Sequence, residues 1–197
     1  MAEYRDRRVR KTETQLVKGL TKLMKTKSIK DITVRELAEE VDINRSTFYL
    51  HYKDIYDMVE KIENNLVEKF LLSLDELSKS RITQSTLLEF LNDVYRTIYS
   101  NADIFTVLLS NNGDIGFHKK INEVIHQKTY DITKNIIKQS LNEEQIRIAC
   151  CYFVSGIIGI IEAWLQDISL TTPETMAEFS CQLIKNGMSN FNFQELV

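Results

Sequence analysis

Residues 33–53 read TVRELAEEVDINRSTFYLHYK, and their spacing decides the fold. Thr33 is a helix N-cap. Glu36 follows three positions later in a Thr-x-x-Glu capping box, and Val34, Leu37, Ala38 and Val41 recur at i, i+3, i+4 and i+7. Asp42 and Ile43 make a short turn. Asn44 caps another helix, expected to run through about Tyr52, and Asp54 caps a longer one. The second helix of the pair opens on small polar groups (Asn44, Arg45, Ser46, Thr47) and ends on aromatic ones. A helix that reads DNA needs this order. Its first residues approach base edges in the major groove, where hydroxyls and a guanidinium can bond and bulky apolar groups cannot lead.

Working outward, Leu16, Val17, Leu20, Leu23 and Met24 define a preceding helix over Lys11–Lys25, broken by the run 26–32. After Asp54, the stripe Ile55, Met58, Val59, Ile62, Leu66, Phe70, Leu74, Leu77 predicts a long helix, then a polar loop over 77–85. Further helices are expected at 85–99, 102–110, 116–139, 143–168 and 173–188. Asn142 caps the fourth of these, and Thr172 and Pro173 open the last. One proline and six glycines in 197 residues favour long helices over a many-turned β architecture, and no convincing strand run appears. The expected fold is all-α: a three-helix helix-turn-helix domain over 1–53, joined by a long helix to a helical domain for dimerisation and effector binding over 54–197.

Net charge is −3, but its distribution says more. Residues 1–30 hold ten Lys and Arg against three acids, while residues 61–197 hold twelve against seventeen. A basic end on an acidic body suits a protein that touches phosphate with one part only. The start MAEYRDRRVRK lacks the apolar region of a secretory signal. The longest nearly uncharged stretch, Ile148–Ile161, is short for a bilayer span, so no membrane partner is expected. Cys150, Cys151 and Cys181 have no metal-ligand spacing and read as reduced residues of a cytoplasmic protein. No cofactor and no metal site is expected.

On these residues the chain resembles the tetracycline-repressor (TetR) family. The likeness rests on Thr33, Leu37–Ala38, Ile43–Asn44, Thr47–Phe48–Tyr49, His51–Tyr52–Lys53 and the capped helix at Asp54. It implies a transcriptional regulator that binds double-stranded operator DNA as a homodimer, most familiarly as a repressor. Arg35 and Arg45 are then the candidates for base edges. Asn44, Ser46, Thr47, Tyr49 and His51 lie where the family approaches bases or phosphate, and Thr33 and Lys53 sit at helix starts beside the backbone. Phe48 and Tyr52 are expected in the core. Two departures stand out. Asp42 occupies a turn position where the family usually has glycine, and Ile55 stands where many members carry a lysine. The stretches LLSNNGDIGFHKKI (108–121) and YFVSGIIGIIEAWL (152–165) also look like a Firmicutes subgroup that includes activators of dihydroxyacetone-kinase operons.

The helix over 143–168 is apolar nearly all round between Ile148 and Leu165, and such a helix must be covered on two sides. Small residues at Ser155, Gly156 and Gly159 would let another helix approach. With Cys151, Ile160, Met176, Phe179 and Leu183 they form the expected dimer interface. Tyr95, Phe105, Phe117, Tyr130 and Trp164, with His126 and Glu162 as polar anchors, are candidates for an effector pocket. An effector, small molecule or protein, would shift the population toward a body conformation that misaligns the recognition helices. In an activator the coupling would run the other way. An enzyme is the first rival. It fails because His51, His118 and His126 are scattered, no nucleophile or nucleotide motif appears, and no catalytic residue is assigned. A helical adaptor whose helix-turn-helix no longer reads DNA is the second.

Overall fold

The computed structural model describes residues 2–110, 115–136 and 141–188. Within them the chain is helical: α1 (Ala2–Met24), α2 (Val34–Glu40), α3 (Arg45–Tyr49), α4 (Ile55–Lys79), α5 (Gln84–Ser100), α6 (Ala102–Leu108), α7 (Ile115–Ile136), α8 (Glu143–Gln166) and α9 (Pro173–Met188), with a 3-10 turn at Ile29–Asp31. The expected continuation of α7 through 137–139 lies outside the described residues. The chain forms two compact units. One comprises 1–65 with 103–117, the other 66–102 with 118–197.

In the first unit, α1 begins nine residues before the expected Lys11. Its leading segment has no breaker but also no apolar periodicity to announce it. Leu16, Leu20 and Met24 are fully buried on its inner face. The cap at Thr33 forms, its Oγ1 accepting the Glu36 N–H at 3.2 Å. The return half of the expected box does not, because the Glu36 carboxylate pairs with Lys27 instead. Asp42 adopts φ 53°, the left-handed turn for which glycine is usual. An aspartate tolerates it better than most side chains. The Asn44 side chain caps α3 by accepting the Ser46 N–H at 3.0 Å. α3 ends at Tyr49, short of the expected Tyr52. There the Leu50 N–H turns back to the Thr47 carbonyl, and the His51 and Tyr52 N–H groups share the Phe48 carbonyl. Asp54 Oδ1 accepts the Asp57 N–H at 2.8 Å at the start of α4.

In the second unit, α5 and α9 pack antiparallel. At one end Lys185 Nζ donates to Gln84 Oε1 at 2.9 Å. At the other Arg96 Nε donates to Glu174 Oε1, also at 2.9 Å. Between them the buried Tyr95 hydroxyl meets Ser180 Oγ at 2.6 Å. α8 starts on a complete capping box, Asn142 with Gln145, and buries Ile146, Cys150, Val154, Trp164 and Leu165. α9 opens at Pro173, after Thr172 Oγ1 accepts the Thr175 N–H at 3.2 Å.

Candidate nucleic-acid interface

α3 has one buried edge. Phe48 is fully buried and Tyr52 nearly so, their rings 5.6 Å apart. The rest of the helix turns outward: Arg45 and Ser46 are exposed, Thr47 half-buried, and Tyr49 58% exposed. Asn44 is exposed, though its side chain oxygen serves the cap. On α2, Arg35 is exposed with Glu39 3.7 Å away, and Thr33 caps the helix. Lys53 is exposed, and its backbone N–H donates to Asp57 Oδ2 at 2.9 Å.

His51 is placed differently from its neighbours. Its side chain is only 9% exposed and Nδ1 lies 3.3 Å from Glu13 Oε1 on α1. It ties the end of the recognition helix to α1. Lys61 completes this support: its Nζ donates to the His51 carbonyl at 3.2 Å and to Asp57 Oδ2 at 2.9 Å, and stands 5.3 Å over the Tyr52 ring. The Lys53 N–H and then the Lys61 ammonium hold the Asp57 carboxyl below its usual range. Burial, reinforced by the negative charges of Glu13 and Asp57, pushes the Tyr52 hydroxyl up to about 12. The sequence motif did not reveal Glu13 and Lys61. The Asp57–Lys61 spacing of i, i+4 was a usable signal, whereas nothing local links residue 13 to residue 51. Ile55 is buried, so its side chain joins the core.

In the second unit, Cys151, Ser155, Gly156 and Gly159 lie exposed on α8, and Ile160 and Met176 are half-buried. Tyr152 (72%), Ile148 (57%), Phe179 (50%) and Leu183 (44%) leave large apolar side chains in the open. A Cβ built on Gly156 or Gly159 would meet nothing within 4 Å. By length and composition alone α8 is apolar enough to cross a membrane, a property that covered helices of soluble proteins share, and 22% of its most apolar stretch is buried within the chain.

The seven effector candidates divide between the units. Phe105 and Phe117 are buried in the first. In the second, Tyr95 and Trp164 are buried edge to face at 5.5 Å, and the Trp164 indole N–H donates to the Thr171 carbonyl at 3.1 Å. His126, Tyr130 and Glu162 are half-buried, and burial lowers the His126 pKa.

Two short capped helices around a left-handed turn, the second anchored by aromatics and opening on exposed polar residues, define a helix-turn-helix regulator. Residues 85–186, just over half of the chain, match the TetR C-terminal family model described as a transcriptional regulator C-terminal region. The chain belongs to the TetR family of transcriptional regulators. It is 25% identical over 181 residues to YxbF, an HTH-type transcriptional regulator of Bacillus subtilis. That match covers 87% of this chain but only 44% of YxbF, so the chain spans less than half of that relative's length. Its fold is similar to that of NalD, the secondary repressor of the MexAB-OprM multidrug efflux pump in Pseudomonas aeruginosa. The TM-score is 0.68 at 15% identity, over 90% of this chain and 95% of NalD. It is also similar to FadR of Bacillus subtilis in complex with stearoyl-CoA, with a TM-score of 0.63 at 15% identity, over 87% and 96% of the two chains.

Proposed function

We propose that this protein binds a palindromic operator as a homodimer, with α3 in the major groove, and that a ligand or protein partner acting on the C-terminal unit modulates binding. The observation that carries the reading is the two-sided character of α3. Phe48 and Tyr52 fasten one edge to the unit, and Arg45, Ser46 and Tyr49 remain exposed on the other. Arg45 is the main base-edge contact, helped by Arg35, Ser46 and Thr47. Tyr49, Lys53 and the cap at Thr33 serve phosphate. His51 positions α3 through Glu13. The basic first helix adds sequence-independent attraction. Residues 1–53 would be the DNA-binding part and 54–197 the dimerising and sensing part, working in the cytoplasm.

The occupant proposed for the open face of α8 and α9 is a second copy of this chain. Both helices expose large apolar residues, α8 carries small ones beside its own, and two recognition helices are needed to read a palindrome about one DNA turn, ~34–36 Å, apart. Within the second unit, the half-buried His126, Tyr130 and Glu162 would be the polar groups that meet an effector, and the buried Tyr95 and Trp164 the aromatic ones. FadR, crystallised with an acyl-CoA, is the precedent for a ligand on this fold.

The test is binding to the DNA flanking the protein's own gene, with a salt series and an Arg45→Ala/Thr47→Ala variant. Tight binding at ~0.15 M salt, steeply salt-dependent and lost in the variant, supports the reading. Salt-sensitive binding to any duplex, unchanged by the substitutions, removes α3 as the reading element and favours an adaptor.

A further inference from the structure

Leu50 is 83% exposed, more than any other large hydrophobic residue among those described, and it sits beside the recognition helix. It continues the helical path of α3, with φ −74° and ψ −19°. It stands two positions after Phe48 and two before Tyr52, the two anchors of the buried edge. At 3.6 residues per turn, the two-residue step from Phe48 places Leu50 about 160° around the helix from that anchor. Leu50 therefore occupies the outward pole of α3. Ser46 lies one turn earlier on the same side, and Tyr49 is the exposed neighbour beside it.

A side chain at that pole meets whatever the helix enters. The edges of the bases offer donors and acceptors, and burying leucine against them would leave those groups unsatisfied. The apolar group on the major-groove floor is the C5-methyl of thymine. Resting on the reading that α3 enters the major groove, we propose that Leu50 is a specificity-determining residue that packs against a thymine methyl in each operator half-site. Arg45 would supply hydrogen-bonded recognition at the start of the helix, and Leu50 apolar recognition at its end.

The experiment is a double-mutant cycle between protein and DNA. The full chain selects duplexes from a randomised library, and each thymine of the selected site is then replaced singly by deoxyuridine, which removes only the methyl. Losing one buried methyl is expected to weaken wild-type binding about four-fold at one position per half-site. Leu50→Ala, which removes the contact in both half-sites, should weaken binding to the parent duplex about sixteen-fold, lose nothing further on that replacement, and keep the wild-type melting temperature. Leu50→Met should remain sensitive. Independent effects of Leu50→Ala and deoxyuridine at every thymine overturn the assignment. If selection in that case still depends on Arg45, groove reading by α3 stands without it. Failure of the wild-type chain to enrich any sequence overturns both.

Discussion

Val41 packs its Cγ1 into the space that a side chain on Gly19 would need. A Cβ on Gly19 would overlap that methyl and stand 3.1 Å from Leu37 Cδ1. The close approach seats α2 on α1 and so fixes where the turn at Asp42 begins. The β-branched valine has no long arm to swing aside. Gly19→Ala is expected to cost about 1–3 kcal/mol through overpacking, read as a lower denaturation midpoint. Val41→Ala should recover most of that loss in the double variant. Independent, additive losses would argue against the contact.

The Tyr95–Ser180 hydrogen bond, 2.6 Å long and buried, joins α5 to α9 across 85 residues of sequence. Tyr95→Phe leaves the Ser180 hydroxyl buried without this partner and should cost about 1–3 kcal/mol. Ser180→Ala should cost a similar amount, and the double variant less than the sum. A chemical-denaturation cycle measures the coupling.

The open face of α8 and α9 predicts a dimer that charge will break. Tyr152→Asp with Leu183→Asp should shift the sedimentation mass from two copies to one. It should weaken operator binding by about 30-fold or more, the scale of a lost interface hot spot. A wild-type chain that sediments as a monomer and floats with lipid vesicles would instead assign the α8 face to a membrane.

Tyr52 gives the first unit an alkaline limit. Its folded pKa, about 12, lies above the ordinary phenol value of about 10. The folded state therefore holds its proton more tightly than the unfolded chain does. The stabilisation is fully present below pH 10 and is lost as pH rises toward 12. Tyr52→Phe keeps the ring and removes the titration, so its melting temperature should decline less than the wild type's over that window. Equal declines would assign the alkaline loss to other groups.

The helix-turn-helix was legible because its instructions are local. Thr33, Asp42, Asn44 and Asp54 each act within four residues; the N-caps follow from residue type, and the left-handed turn at Asp42 from the glycine that the family usually places there. The misread features depend on distant partners or on missing periodicity. Glu36 had a local partner in the capping box but pairs with Lys27 across the 3-10 turn. His51 looks like a surface group of the motif until Glu13 closes over it from α1. The first turns of α1 carry charge without a hydrophobic stripe, so nothing marked where the helix begins. Leu50 went unnoticed for a related reason. An isolated leucine after two aromatics reads as core, and only its own exposure in the folded chain shows it to be on the outside.

The chain has one tryptophan, and it lies at the heart of the second unit. Trp164 is 5% exposed, stacks on Tyr99 at 6.2 Å and meets Tyr95 edge-on. Its emission is thus an internal optical probe of that unit, with two tyrosines beside it to pass on excitation energy. The regulator carries its own dye. A compound library can be screened for shifts in indole fluorescence before any operator is known, and compounds that register by changing the surroundings of Trp164 identify themselves as candidate effectors.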